Sequence, residues 1–268
     1  MKLKILGSGG AMPTPRPFCQ CDLCQKARLE GEPYKRNSSS LYIEAALAVI
    51  DCPEDIGDSL NRRMIDRVDN LFLTHWHPDH TFGLRPILEA NFDFINNKTS
   101  KVMNLYMPEK VYEQVNKVYP NFYYFEHIAK MCVVHKLNHM ESVQIGPCKI
   151  TAIGFEGECS NTFGYLIEES GRSALYAPCD TISFNYDIHN DLDLLINECG
   201  ILSPEVETEQ SFDSLMQVIS KLNIQRTILT HIEEVELQRY GMPYYRALKD
   251  KYKDINFDYA YDGMEIEL

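Results

Sequence analysis

Thr74-His75-Trp76-His77-Pro78-Asp79-His80 gathers three imidazoles and one carboxylate directly after the apolar segment Leu71-Phe72-Leu73. His75 and His77 stand two apart, so on an extended backbone they share a face. Asp79 and His80 then turn onto a neighbouring position. A strand end and the loop after it can therefore offer four donors to one small volume. Neutral imidazole suits zinc, iron or manganese, and the carboxylate adds charge and a harder oxygen. The chain has 8 histidines in 268 residues, so three packed into this one run argue for a metal site over a chance surface cluster. A second group, Cys19-x-Cys21-x-x-Cys24, has the spacing of three thiolates on one tetrahedral zinc. Such a zinc would staple the proline-rich loop 13–37, which has little apolar core of its own.

Strand elements must deliver these groups. Apolar and β-branched runs predict strands over 2–6, 39–43, 47–50 and 70–73, with a helix over 54–64 and helical spacing over 84–94. The second part repeats the plan, with strands over 149–155, 162–168, 173–177, 192–196 and 226–229 and a helix over 210–222. Both Leu71-Phe72-Leu73 and Ile228-Leu229 close with Thr-His, at Thr74-His75 and Thr230-His231. That parallel predicts two related halves whose strand ends meet at one site. A tyrosine-rich stretch within 109–130 reads as a helical insertion, and residues 1–268 read as a single domain. His127, His135, His139 and His189 have no ligand-like spacing, and His139 reads as a surface residue. Gly7-Ser8-Gly9-Gly10 lacks the lysine and helix start of a phosphate-binding loop and reads as a tight turn near the site.

The net charge of −13 disfavours a nucleic-acid partner, since such affinity leans on clustered Lys and Arg. A small anionic substrate is still compatible with it, because a metal centre supplies local positive charge. No apolar run reaches the length of a membrane span, which predicts no membrane partner. Nine cysteines, an odd count without a secretory signal, predict reduced thiols in a cytoplasmic protein. Cys52, Cys132, Cys148, Cys179 and Cys199 lie in or beside apolar stretches and read as buried small hydrophobes.

His75-x-His77-x-Asp79-His80, together with Asp51, Asp180 and His231, resembles the metallo-β-lactamase fold superfamily across nearly the whole chain. The resemblance implies an α+β, αββα four-layer sandwich with metals at the strand-end rim. Leu6-Gly7-Ser8-Gly9-Gly10, the three-cysteine motif, Thr162-Phe163-Gly164-Tyr165, Ile228-Leu229-Thr230-His231 and Tyr261-Asp262-Gly263-Met264-Glu265-Ile266 narrow it. Together they resemble the cyclic phosphodiesterase family of the carbon–phosphorus lyase pathway, and in part the pyrroloquinoline-quinone biosynthesis B family. The resemblance implies that His75 and His77 hold one divalent metal, Zn or Mn, and that Asp79, His80 and His231 hold the other. Asp180 would bridge the pair, Asp79 and Asp180 would be the catalytic carboxylates, and Asp51 would orient a ligand.

The chain departs from that pattern in three places. Relatives carry a third histidine for the first metal where Glu158 stands here, with Glu156 and Cys159 nearby. They carry another ahead of the late helix, where Glu209 and Asp213 are candidate stand-ins that read more readily as ordinary helix-start carboxylates. They close the cysteine site with a histidine where this chain has Glu234, which makes Cys19, Cys21, Cys24 and Glu234 the expected structural zinc ligands. The resemblance implies a metal-dependent hydrolase, with a phosphodiesterase acting on a small, cyclic or open phosphate ester through a metal-bridged hydroxide as the leading expectation. The alternatives are a lactonase or thioesterase and a non-catalytic metal-binding member. Ribonuclease Z chemistry is less expected at net −13, and homodimers are common among such enzymes.

Overall fold

Two sheets repeat one plan. The structure is a computed structural model, and it describes residues 1–157, 160–186, 191–202 and 210–268. The first sheet draws on β1 (Lys2–Gly7), β2 (Ser40–Ile43), β3 (Ala48–Ile50) and β4 (Asn70–Phe72). After a small hairpin of β5 (Phe92–Asp93) and β6 (Lys98–Thr99) it adds β7 (Met103–Pro108) and β8 (Cys132–Leu137). The second sheet follows with β9 (Ser142–Ile145), β10 (Cys148–Gly154), β11 (Phe163–Glu169), β12 (Arg172–Ala177), β13 (Asp191–Glu198), β14 (Asn223–Thr230) and β15 (Phe257–Tyr259). Then β16 (Glu265–Glu267) returns to the first sheet and pairs with β1. The spatial orders are β16-β1-β2-β3-β4-β7-β8 and β15-β14-β13-β12-β11-β10-β9.

Within each sheet three antiparallel pairings give way to three parallel ones. The change falls at β3 in the first sheet and at β12 in the second. Parallel neighbours need crossovers. Of the helices in chain order, α1 (Asp22–Glu30) lies in the cysteine loop and α2 (Ile56–Arg62) joins β3 to β4. Next, α3 (Pro78–Thr81) and α4 (Leu84–Glu89) lead toward β7, and α5 (Glu109–Val118) crosses to β8. Last, α6 (Phe212–Ile219) joins β13 to β14 and α7 (Glu234–Lys251) joins β14 to β15. Parallel strands run one way, so all their C-terminal ends lie on one rim. That rim receives Asp51 after β3, Thr74-His75 after β4, Cys179-Asp180 after β12, Glu198 at the end of β13 and His231 after β14.

Strand parity sorts the core. On β12, Ala174 and Tyr176 join the core between the sheets, while Leu175 and Ala177 join the apolar layer that includes α6 and α7. On β14, Ile228 and Leu229 divide the same way. Phe212, Leu215, Met216 and Ile219 form the buried stripe of α6 at helical spacing. The result is the αββα sandwich that the sequence predicts.

Three local expectations need correction. The helical pattern over 84–94 stops at Glu89, and Phe92-Asp93 starts the hairpin with Lys98-Thr99 instead. The stretch 109–130 is helical only in pieces: α5 ends at Val118 and a π-helical turn spans Tyr124–Ile128. Pro120 explains the break, because it lacks an N–H and disfavours helical geometry at Tyr119. The 13–37 loop contains α1, capped by Cys21, whose Sγ accepts the Cys24 N–H at 3.4 Å.

Candidate metal centre

The carboxylate of Asp51 organises the rim from below. It is fully buried, and its Oδ1 accepts the Thr74 N–H at 2.8 Å and the Thr74 hydroxyl at 3.0 Å. Its Oδ2 meets His80 Nδ1 at 2.8 Å. With Nδ1 engaged, His80 presents Nε2 to the site. His231 is arranged the same way: its Nδ1 lies 3.2 Å from Glu233 Oε1, leaving Nε2 to face inward. The Glu233 carboxylate is itself held by the Ala11 N–H at 3.1 Å. Fixing one imidazole nitrogen so that the other can ligate is the common outer arrangement of metal-binding histidines.

The inward atoms are short of partners. His80 Nε2 and His231 Nε2 are both buried without a hydrogen bond, although Asp79 Oδ2 lies 3.2 Å and 3.4 Å from them. Their rings stack 5.5 Å apart. Buried orphan nitrogens converging with a carboxylate are what a cation site needs. A short way off, His75 Nε2 and His77 Nδ1 face each other at 2.9 Å. Thus two nitrogen pairs, one carboxylate and the rim residues below form two adjoining groups of donors.

Electrostatics follow from this crowding. Burial, then the charges of His80 and His77, push His75 well below the ordinary imidazole value, which leaves it neutral with a lone pair to offer. Burial opposes ionisation of Asp79, but His80 and His231 outweigh it and hold the carboxyl well below its usual range. Burial also opposes protonation of His80, and Asp51 and Asp79 outweigh it in the raising direction. For His231, burial is again opposed, by Cys179, Asp79 and Glu233, with a raised value as the result. A divalent cation entering here competes with protons for these imidazoles, so metal affinity at this rim depends on pH.

Across the rim, one oxygen of Asp180 and Cys179 Sγ lie within 4.8 Å of the His75 and His77 nitrogens and of each other. Cys179 Sγ also lies within 4.8 Å of the His80 and His231 nitrogens. Asp180 therefore groups with His75 and His77, and Cys179 is the residue common to both groups. Cys179 is buried, as its apolar neighbours predict, but its sulfur lies among the nitrogens of four histidines. Glu158 and Glu209 lie outside the described residues. Asp213 sits on the surface, paired with Lys251 at 3.0 Å and with Tyr252 at 2.6 Å, so it is no substitute acid at the rim. His139 is half-buried rather than on the surface, and its Nδ1 accepts the Gly154 N–H at 3.0 Å.

Sequence reasoning also missed Glu233 and Glu198. Glu233 follows His231 by two, a spacing that reaches back to the same imidazole. Glu198 ends β13 at the rim, buried, and Oε1 accepts the Thr181 N–H at 2.6 Å, which fixes the turn that carries Asp180. Asp51, Asp180 and His231 all adopt left-handed backbone, with φ of 65°, 56° and 52°. Such conformations at non-glycine residues cluster where side chains are aimed for function.

The second group of donors is the cysteine cluster. One ligating atom from each of Cys19, Cys21, Cys24 and Glu234 lies within 4.8 Å of the others. Cys24 Sγ donates to Glu234 Oε1 at 3.2 Å, and Arg16 stands 3.5 Å from the other oxygen. The Cys21 backbone N–H, then its thiol, hold Cys19 down to about 7, whereas burial pushes Cys24 up to about 12. The structure thus brings four donor side chains together between the segment that opens α1 and the start of α7.

This rim, with its donors at the C-terminal ends of parallel strands in two packed sheets, has a known counterpart. Residues 48–232 match the family described as the Beta-lactamase superfamily domain, and the chain belongs to that family. Among curated relatives, ribonuclease Z of Archaeoglobus fulgidus is 25% identical over 179 residues, covering 64% of this chain and 49% of that protein. An octanoyltransferase of Porphyromonas gingivalis is 36% identical over 87 residues, covering 31% of this chain and 17% of that protein. The chain therefore spans about half or less of the curated relatives it matches. A solved diphosphatase from the PhnP family superposes with a TM-score of 0.77 at 23% identity, covering 100% of this chain and 97% of that one. Zinc-bound PqqB from Methylobacterium extorquens gives 0.79 at 17% identity with 100% of both chains covered. At these identities the two structures speak for the fold.

Proposed function

We propose that this chain is a metal-dependent phosphodiesterase acting on a small phosphate ester at the rim site. The observation that carries the reading is the convergence of two donor groups: His75 with His77, and His80 with His231 and Asp79. Two divalent cations held there would activate water at neutral pH and neutralise charge on a phosphoryl group. The chain's own residues bind and orient: Asp51 and Glu233 fix the His80 and His231 rings, and Glu198 fixes the turn bearing Asp180. The net charge of −13 supports a small ester over RNA as substrate. The names of two relatives, a ribonuclease and a diphosphatase, support cleavage at phosphorus.

In this reading residues 1–268 act as one unit, because the ligands come from the rims of both sheets. No helix among the described residues is long and apolar enough to cross a membrane. The described cysteines are all free thiols, which suits a reducing compartment. The test is hydrolysis of bis-p-nitrophenyl phosphate by the full chain, metal-free and reloaded, beside Asp79→Asn. Turnover that requires metal and falls at least a hundredfold in the variant is the expected result. Two bound metals with no phosphodiester turnover, but cleavage of a lactone or thioester, would overturn it.

A further inference from the structure

The geometry points to Cys179 as a thiolate ligand shared by both metals, an inference that rests on the dinuclear reading above. Among the described residues its sulfur belongs to both groups of mutually close donors, within 4.8 Å of the other atoms in each. Counting it in each gives one set of four and one of three. His75, His77, Asp180 and Cys179 make the first; His80, His231 and Cys179 make the second, with Asp79 Oδ2 3.2 Å and 3.4 Å from its two imidazole nitrogens. A zinc-like cation at a catalytic site takes about three protein donors plus water and can expand to a fifth position, so a shared sulfur is compatible with a bound water. The first set then holds two imidazoles, one carboxylate and one thiolate.

Chain direction explains why the sulfur reaches both sets. Cys179 follows β12 through Pro178, and the Glu198 side chain pins the Thr181 N–H two residues later at 2.6 Å. The segment between is held at both ends, with Asp180 in left-handed backbone at φ 56°. The turn sends the Asp180 carboxylate toward His75 and His77, while Cys179, a residue only 4% exposed, keeps its sulfur within 4.8 Å of donors in both groups. A mere apolar filler is a poor account of a sulfur ringed by four imidazoles. The unpartnered His80 and His231 nitrogens that share its neighbourhood are an independent sign that a cation belongs there. On binding, the S–H proton leaves to solvent and the sulfur lone pairs form two metal–sulfur bonds, with no change of oxidation state. A soft sulfur bridge selects zinc, cobalt or cadmium over manganese.

The experiment loads the metal-free full chain with cobalt(II) and records near-ultraviolet thiolate-to-cobalt absorption and metal content. Wild type, Cys179→Ser and Cys179→Ala are compared, each also in a background with Cys19, Cys21 and Cys24 changed to serine to silence the other thiolate site. In that background, wild-type Cys179 should give two cobalt per chain with thiolate absorption. Cys179→Ser should lose the absorption, and Cys179→Ala should bind both ions at least tenfold more weakly. Circular dichroism and unfolding of the metal-free variants check that the fold is kept, since serine and alanine both fit the space. Two cobalt bound with unchanged affinity in Cys179→Ala, and no thiolate absorption in wild type, would overturn the shared sulfur and leave the dinuclear reading standing. No cobalt at the rim of wild type would overturn that reading, and this inference with it. A preference for cobalt over manganese that weakens at least tenfold in Cys179→Ser would support the sulfur from a separate measurement.

Discussion

Replacing Asp51 with asparagine should weaken metal binding through the proton on a histidine it never lets turn. Asp51 Oδ1 accepts the Thr74 N–H at 2.8 Å, and that backbone donor is fixed. In Asp51→Asn the amide oxygen must take this place, so the NH2 group occupies the position of Oδ2, 2.8 Å from His80 Nδ1. An NH2 there donates to Nδ1 and drives the imidazole proton onto Nε2, the atom that faces the site. Flipping the amide sets NH2 against the Thr74 N–H, a buried donor against a donor, at a cost of about 1–3 kcal/mol. The first arrangement opposes the ligating tautomer, and the second keeps it only at that cost. Losing such an outer carboxylate typically lowers metal affinity about 10–100-fold, or about 1.4–2.7 kcal/mol. The assay is competition against a chromophoric chelator with metal-free wild type and Asp51→Asn, alongside circular dichroism to confirm the fold. Affinity within about twofold of wild type, in a folded variant, would refute the tautomer argument.

Other outcomes follow from neighbouring contacts. A methyl group added at Gly10 overlaps the Glu233 carboxylate, so Gly10→Ala should lift Glu233 from His231 and lower metal affinity about tenfold; isothermal titration measures it. Burial raises Asp55 to about 7, while its unfolded value stays near 3.8. A raised carboxyl favours the folded state most fully below the unfolded value, and that contribution is lost as pH climbs to about 7. Asp55→Asn should therefore gain relative to metal-free wild type between pH 4 and 7, by up to about 1.4 kcal/mol per pH unit. Urea midpoints at several pH values would show this, and parallel curves for the two proteins would refute it. Glu234→Ala removes the fourth donor of the cysteine cluster and should weaken the zinc there about tenfold or more; chelator competition followed by metal analysis reads it. Unchanged zinc retention would take Glu234 out of the ligand set.

Much of this was legible because strand periodicity and histidine spacing are local signals. Leu71-Phe72-Leu73 before Thr74-His75, and Ile228-Leu229 before Thr230-His231, gave both strand ends and their shared destination. Asp180 was legible for the same reason, following an apolar strand through Pro178. Cys179 was not, because a cysteine beside Ala177 and Pro178 looks apolar in one dimension; only the docking of two sheets puts imidazoles around it. β7 and β8 went unread because Met103–Pro108 and Cys132–Leu137 mix polar and apolar residues without clean alternation. The long α7 was equally obscure: Gly241 and Pro243 interrupt it, with φ of 73° at Gly241. Sequence rules read such a pair as a stop.

The return of β16 to β1 has a consequence for synthesis. Residues 2–4 pair with residues 265–267, so the outer strand of the first sheet is translated after every strand of the second. Between them the chain also supplies Asp262, which accepts the Ser8 and Asn37 N–H groups at 3.0 and 2.7 Å. On the ribosome, β1 waits with one edge open while some two hundred and fifty residues emerge. That exposed edge is a template for wrong partners, and a nascent chain stalled short of residue 262 lacks the carboxylate that anchors the β1 turn beside His231. Ribosome-bound chains of increasing length should therefore acquire protease resistance late and in one step, as this closing strand clears the exit tunnel.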